Sequence, residues 1–193
     1  MVKKKEDLIV KWITLAGFVF FIIWGIITII VGDTGFIFDR FFSAGLVLVL
    51  YAFYHIMRLR LGVTIVALAV LLLHHLKLYG MFILGIPFDR LMHFTAGIAL
   101  ALIAYDYISR RSSLKPTEVL VIAVLVAAGV GAIMEIIEFV GYSFLGAGEG
   151  LLFFGKGDFG EWNNASWDLM NNLFGAIVGA IYAFVVFPLF RKK

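Results

Sequence analysis

Three pairs of polar side chains in this 193-residue chain have the types and spacing of a reactive site. Asp89 and His93 stand four residues apart, Glu135 and Glu138 three apart, Asp168 and Asn172 four apart. On a helix each spacing puts its pair on one face, one turn from each other. Carboxylates, one imidazole and an amide, in a chain without cysteine, form a donor set for a hard or borderline divalent ion, Zn, Mg or Mn. In that chemistry Asp89, His93, Glu135 and Asp168 are the candidate ligands. Glu138 is a candidate general base toward water, and Asn172 a candidate for orienting substrate or a ligand.

Each pair also has a plain structural reading. Asp89 and Asp168 suit helix starts, where a carboxylate meets the dipole, and His93 suits the headgroup level. Asn172 suits a helix-packing amide. Glu135 and Glu138 are harder to read that way. Two carboxylates one turn apart in an apolar setting cannot both stay ionised without a cation, so they require a metal, a basic partner such as Arg90, or a proton.

The setting is hydrocarbon. The chain is 63% hydrophobic and 15% charged, with a mean hydropathy of +1.04, whereas a soluble domain is nearer a quarter charged. Its net charge of +3 is no nucleic-acid signal; the lipid bilayer is the partner it implies. Six apolar segments, about 12–31, 41–57, 61–78, 91–108, 119–145 and 167–190, approach or exceed spanning length. The expected fold is therefore all-α: a single polytopic bundle of six transmembrane helices over residues 1–193. The first segment follows Lys3, Lys4, Lys5 and Lys11, as in a signal peptide, but at about 20 residues it reads as a retained helix. Residues 79–87 are apolar but broken by Gly and Pro, and suit a re-entrant or interfacial piece.

Basic residues orient the bundle. Lys3, Lys4, Lys5 and Lys11, then Arg58 and Arg60, then Arg110, Arg111 and Lys115, then Arg191, Lys192 and Lys193 fall on alternate connections, 12 of the 16 in the chain. The positive-inside rule puts that side, with both termini, in the cytoplasm of a plasma-membrane protein. Asp89, His93, Asp168 and Asn172 then open helices from the outer face. Glu135 and Glu138 lie about 24 and 28 Å up the fifth helix from Val119 at 1.5 Å per residue, in the outer third of a core about 30 Å thick. Three sequence-distant pairs share one depth. Gly175-Ala176 and Gly179-Ala180 form a small-residue seam that lets helices approach closely, with Gly97, Gly129 and Gly131 suited to similar parts.

Other features are less specific. FDRFFSAG (Phe38 to Gly45), FDRLMHFTAG (Phe88 to Gly97) and WDLMNNLFGA (Trp167 to Ala176) echo one another, and the first copy has Ser43 where the second has His93. His74 and His75 are adjacent, so they face different ways and suit an interface. Asp106 and Arg110 read as a surface ion pair. The outer Gly-rich connection 146–166 is either a lid above the polar groups or a linker. Within it, Asn164-Ala165-Ser166 is a glycosylation-type tripeptide.

FDRLMHFTAG, MEIIEF (Met134 to Phe139), the Gly-rich connection and WDLMNNLFGA together resemble the YjdF-like family of integral membrane proteins, over about residues 61–180. More distantly they are similar to VanZ-like proteins, which have Asp-x-x-x-His, Glu and Asp/Asn in this order on late helices. The resemblance implies a second aspartate where Asn172 stands and a His-Glu pair near His74-His75, and this chain departs from both. It supports the residue set and names no reaction.

Three functions fit these residues. The first is a metal-dependent hydrolase or transferase acting on a lipid-linked or amphipathic small molecule at the outer leaflet. The second is a proton- or cation-coupled transporter, which would need polar residues continuing to the inner face. There the fifth and sixth helices carry Val, Ala, Leu, Ile and Gly. The third is a non-enzymatic binding or interaction protein whose charges only brace helices.

Overall fold

The computed structural model describes residues 2–33, 35–145 and 161–190. In chain order the elements are α1 (Val2–Val31), α2 (Ile37–Ala52), the single turn α3 (Tyr54–Met57) and α4 (Leu61–His74). An antiparallel hairpin follows, of β1 (Phe82–Ile83) and β2 (Ile86–Pro87), and then α5 (Phe88–Arg111), α6 (Pro116–Leu145), α7 (Glu161–Val186) and a 3-10 turn (Phe187–Phe190). Among the described residues, four stretches are long and apolar enough to cross a membrane: Glu6–Val31, Phe88–Arg111, Pro116–Gly141 and Asn164–Val186. Helices α2 and α4, of 16 and 14 residues, extend only about 24 and 21 Å at 1.5 Å per residue.

Two of the boundaries that differ from the expectation bear on the site. The segment expected over 61–78 leaves the helix at His74, because Lys77 and Gly80 take positive φ (55° and 86°) and turn the chain. Residues 82–87 then pair as the hairpin, through Leu84 and Gly85 at φ 52° and 81°, the two left-handed positions that a tight hairpin turn needs. The last helix begins at Glu161, so residues 161–166, expected in the connection, are helical. The expected lid, residues 146–160, lies outside the described residues.

The helices pack as two groups of three, α1 with α2 and α4, and α5 with α6 and α7, bridged where α4 meets α5. The most extensive interface is α5 with α7. Lipid gives apolar helices no drive to associate, so a seam of small residues must hold them by close contact. A Cβ added to Gly175 would fall on the Phe94 carbonyl, one on Gly97 would fall on the Asn172 carbonyl, and one on Gly179 would lie 2.7 Å from the Ile98 oxygen. Ala101, Ala176 and Ala180 continue this seam, fully buried. Gly131 meets the Asn172 side chain, whereas Gly129 faces open space and takes no part. Outside, Ile30, Leu125, Ile133, Ile136 and Val185 are exposed, an apolar belt suited to lipid.

The ends of the bundle are chemically distinct. At the end where α4 begins and α5 stops, Asp106 accepts from Arg110 Nε at 2.8 Å and from the Arg60 backbone N–H at 2.7 Å. Arg110 also donates to the Arg58 carbonyl, and Arg111 to that of Ile56. The expected surface pair is thus buried, with Asp106 fully enclosed, because the α3–α4 connection folds over the end of α5. Glu6 accepts from the Leu61 N–H at 3.0 Å, tying α1 to the same end.

Substituting Gly175→Leu should lower the thermal midpoint of the detergent-purified protein steeply, since overpacking a tight contact costs about 1–3 kcal/mol or more. Gly129→Ala should leave it unchanged or raise it, as Ala gains about 0.5–1 kcal/mol over Gly in a helix. Circular dichroism melts of the two variants check the pair of expectations.

Candidate functional site

At the opposite end, where α5 and α7 begin and α6 stops, the α5–α7 seam sets one imidazole between carboxylates from three helices. His93 is on the second turn of α5. Its Nε2 lies 3.7 Å from Asp89 Oδ1, one turn back on α5, and 3.7 Å from Asp168 Oδ1 on α7. Its Nδ1 lies 3.4 Å from Glu135 Oε1 on α6 and 3.2 Å from the Asn172 amide on α7. Glu138 stands one turn beyond Glu135. Donor atoms of Asp89, His93 and Asp168 lie within 4.8 Å of one another, as do those of His93, Glu135 and Glu138.

The two edges of the ring therefore divide the expected ligand set. An ion on Nε2 has Asp89 and Asp168 beside it, while Glu135 and Asn172 face the other nitrogen. Ligands of a four-coordinate ion with bonds of about 2.0–2.1 Å stand roughly 3.4 Å from one another, so a gap of 3.7 Å closes with a shift of a few tenths. Asp168 is buried, and Asn164 Nδ2 donates to its Oδ2 at 2.8 Å, leaving Oδ1 turned to His93. Asn164, in sequence only the head of a glycosylation-type tripeptide, thus has its amide engaged inside the bundle. Its position four residues before Asp168 is the signal that could have found it.

Among the described residues no arginine pairs with either glutamate. Arg90, the basic partner the sequence suggests, lies instead over the Trp167 ring, its Cζ 4.5 Å from the centroid. Among the described residues no ion pair joins it to Glu135 or Glu138. Both oxygens of Glu135 are buried without a hydrogen-bond partner, an arrangement that costs several kcal/mol unless something cationic or a proton meets it.

Beside these groups lies a cavity of about 370 Å³ between α2, α4, α5 and α6, within the range of small-molecule sites. Asp89, His93, Glu138 and Asn172 line one part, and Leu46, Val70, Leu71, Leu100, Ile103 and Val130 line much of the rest. One end is polar and the body is apolar.

A second polar group, which the sequence reading did not assemble, occupies the same end of the other helix group. His74 Nε2 lies 2.7 Å from Asp39 Oδ1, and His74 Nδ1 is hydrogen-bonded to the Tyr79 hydroxyl. His75 Nε2 lies 2.9 Å from Ser43 Oγ, with its ring between Phe21 and Trp24. Arg40 donates to Thr28 and lies over Trp24. The two histidines do face different ways, but both turn into the protein and not to an interface. Asp39, in the first copy of the FDR echo, finds its histidine on α4 where Asp89 finds one on its own helix. At the surface, hydrogen bonds from Lys77 hold the Asp33 carboxyl below its ordinary range and tie the end of α1 to the turn after α4.

Residues 10–188 fit the model of a family described as "Predicted membrane protein (DUF2238)". No curated protein and no solved structure matches the chain.

If the carboxylates around His93 depend on a cation, Zn or Mn added to chelator-treated protein should raise its thermal midpoint, with about 2.7 kcal/mol gained at a hundred times Kd. In chelator alone, Glu135→Gln should melt above the parent chain, because it removes a buried carboxylate that makes no hydrogen bond, and it should gain less on metal addition. A melt series with and without metal checks both signs.

Proposed function

The chain belongs to the DUF2238 family of predicted membrane proteins, and we propose that it is a metal-dependent membrane hydrolase or transferase acting on a lipid-linked or amphipathic substrate. The finer membrane arrangement we infer with it is a YjdF-like bundle in the plasma membrane. In this arrangement α2 and α4 complete six crossings, both termini are cytoplasmic and the site opens outward. One observation carries the reading: His93 has Asp89 and Asp168 at one nitrogen and Glu135, whose buried oxygens have no hydrogen-bond partner, at the other.

The residues fit a divalent ion. Asp89, His93 Nε2 and Asp168 would hold it, with an imidazole that ranks Zn and Mn above Mg. Bound there, the ion would neutralise the carboxylates and polarise a substrate oxygen. With Nε2 so used, Nδ1 carries the proton and points to Glu135, the carboxylate that fixes the tautomer. The Asn172 amide then presents its oxygen to the same N–H. The network sets the amide orientation in this way. Glu138, on the cavity wall, takes a proton from the attacking water. The apolar body of the cavity takes the substrate's chain and holds its head group at the polar end, which supplies the proximity that such a reaction needs.

Metal content of the purified protein tests the reading. Stoichiometric Zn or Mn is expected in the parent chain and none in His93→Ala or Asp168→Ala. Asn164→Ala should weaken uptake by about 10- to 100-fold, the usual effect of losing an orienting partner. A parent chain that takes up no divalent ion at all would end the proposal.

A further inference from the structure

We propose that Tyr79, backed by His74 and Asp39, is a second acid–base group of this cavity, facing the head group of the same substrate. The proposal rests on reading the cavity as the substrate site, but not on the ion. Tyr79 and His74 line the cavity from the α4 side, while Asp89, His93 and Glu138 line it from α5 and α6. The Tyr79 ring packs edge-on against Phe88, the first residue of α5, at 5.3 Å between centroids and 83°. That contact fixes the ring against the start of α5, and Tyr79 and Asp89 both line the one cavity.

The hydrogen bonds run in a fixed order. The Asp39 carboxylate, fully buried, can only accept, so His74 Nε2 carries a hydrogen and donates to it over 2.7 Å. Neutral His74 then has its lone pair on Nδ1, and the Tyr79 hydroxyl donates into it. Carboxylate, imidazole and hydroxyl in this sequence are the arrangement that moves a proton on and off a hydroxyl. Burial, and next the charge of Asp89, hold the phenol above its ordinary pKa. It therefore parts with its proton only to a base placed to take it. Phe36 packs against both rings, 5.8 Å from His74 and 6.1 Å from Tyr79, and holds them in this relation.

The protons balance. In the hydrolysis proposed above, water loses one to Glu138. For this direction the cycle begins with His74 protonated on both nitrogens. The leaving oxygen takes the Tyr79 proton, Tyr79 takes one from His74 Nδ1, and Asp39 stays a carboxylate throughout, which leaves the neutral His74 described above. Solvent then recharges His74 and discharges Glu138. Run backwards, the same relay makes Tyr79 a nucleophile toward an electrophile that enters the cavity, and this can be measured without the natural substrate.

The probe is para-dodecylbenzenesulfonyl fluoride, whose chain suits the apolar body. The Tyr79 oxygen bonds to sulfur, fluoride leaves, and the phenol proton goes to His74. Peptide mass spectrometry of the purified full chain should find Tyr79 labelled faster than the exposed Tyr182 on α7. Labelling of Tyr79 should fall by about a hundredfold in His74→Asn, the usual size of a general-base contribution. It should fall also in Asp39→Asn, and return in part when imidazole is added to His74→Gly. Labelling of Tyr182 should stay constant in all of them. Chelator should change none of these rates, which separates this result from the fate of the ion site. Tyr79 labelled no faster than Tyr182 in the parent chain, or at an equal rate in a folded His74→Asn, overturns the proposal. The first comparison decides even where the variants fail to fold.

Discussion

The backbone contact between α5 and α7 is the constraint on which the rest depends. Gly175 lies against the Phe94 carbonyl and Gly97 against the Asn172 carbonyl, with no room for a methyl group at either. Phe94 follows His93, and Asn172 is itself part of the polar group. The same two contacts that hold the helices together therefore fix the height of the imidazole relative to Asp168 and Asn172. Were α5 to slide by one turn, about 5.4 Å, His93 would lose its neighbours on both α6 and α7. In lipid, where apolar burial contributes little between helices, this steric fit has to do the positioning.

The two ends of the bundle answer to different chemistry. Around Asp106, arginines and backbone donors satisfy the buried carboxylate completely enough that it reads as a structural knot. Around His93 there are four carboxylates and no arginine among their ion-pair partners in the described residues. Buried charge without a partner is expensive and persists where it has a use. That asymmetry, and not the number of acidic residues, distinguishes a candidate site from a brace.

The apolar runs and their order were readable because hydrocarbon imposes length and composition directly. The four long helices follow from it, as does the Gly175–Gly179 seam. That the three polar pairs lie at one end of the bundle was readable from the alternation of basic connections together with helical rise. What was not readable depended on tertiary contact. The burial of Asp106 comes from a connection folding over a helix end. The sidedness of His93, with Asp89 and Asp168 at one nitrogen and Glu135 and Asn172 at the other, comes from the rotation of α5 about its axis. Asp39 finding His74 across 35 positions leaves no periodic trace. His74 and His75 do diverge as adjacent residues must, but divergence alone did not say that both lead inward. Tyr79 carries no pattern of its own and gains meaning only from what it touches, whereas Asn164 had its four-residue spacing to Asp168 as a signal.

The central claim is that His93 binds a divalent ion through one ring nitrogen together with Asp89 and Asp168. Pulsed electron paramagnetic resonance of the Mn-loaded protein addresses it most directly, because a coordinated imidazole nitrogen modulates the electron spin echo. The account predicts coupling to a single histidine nitrogen, absent in His93→Gln. An echo showing only water and carboxylate oxygen around the ion, or unchanged nitrogen coupling in His93→Gln, would contradict it.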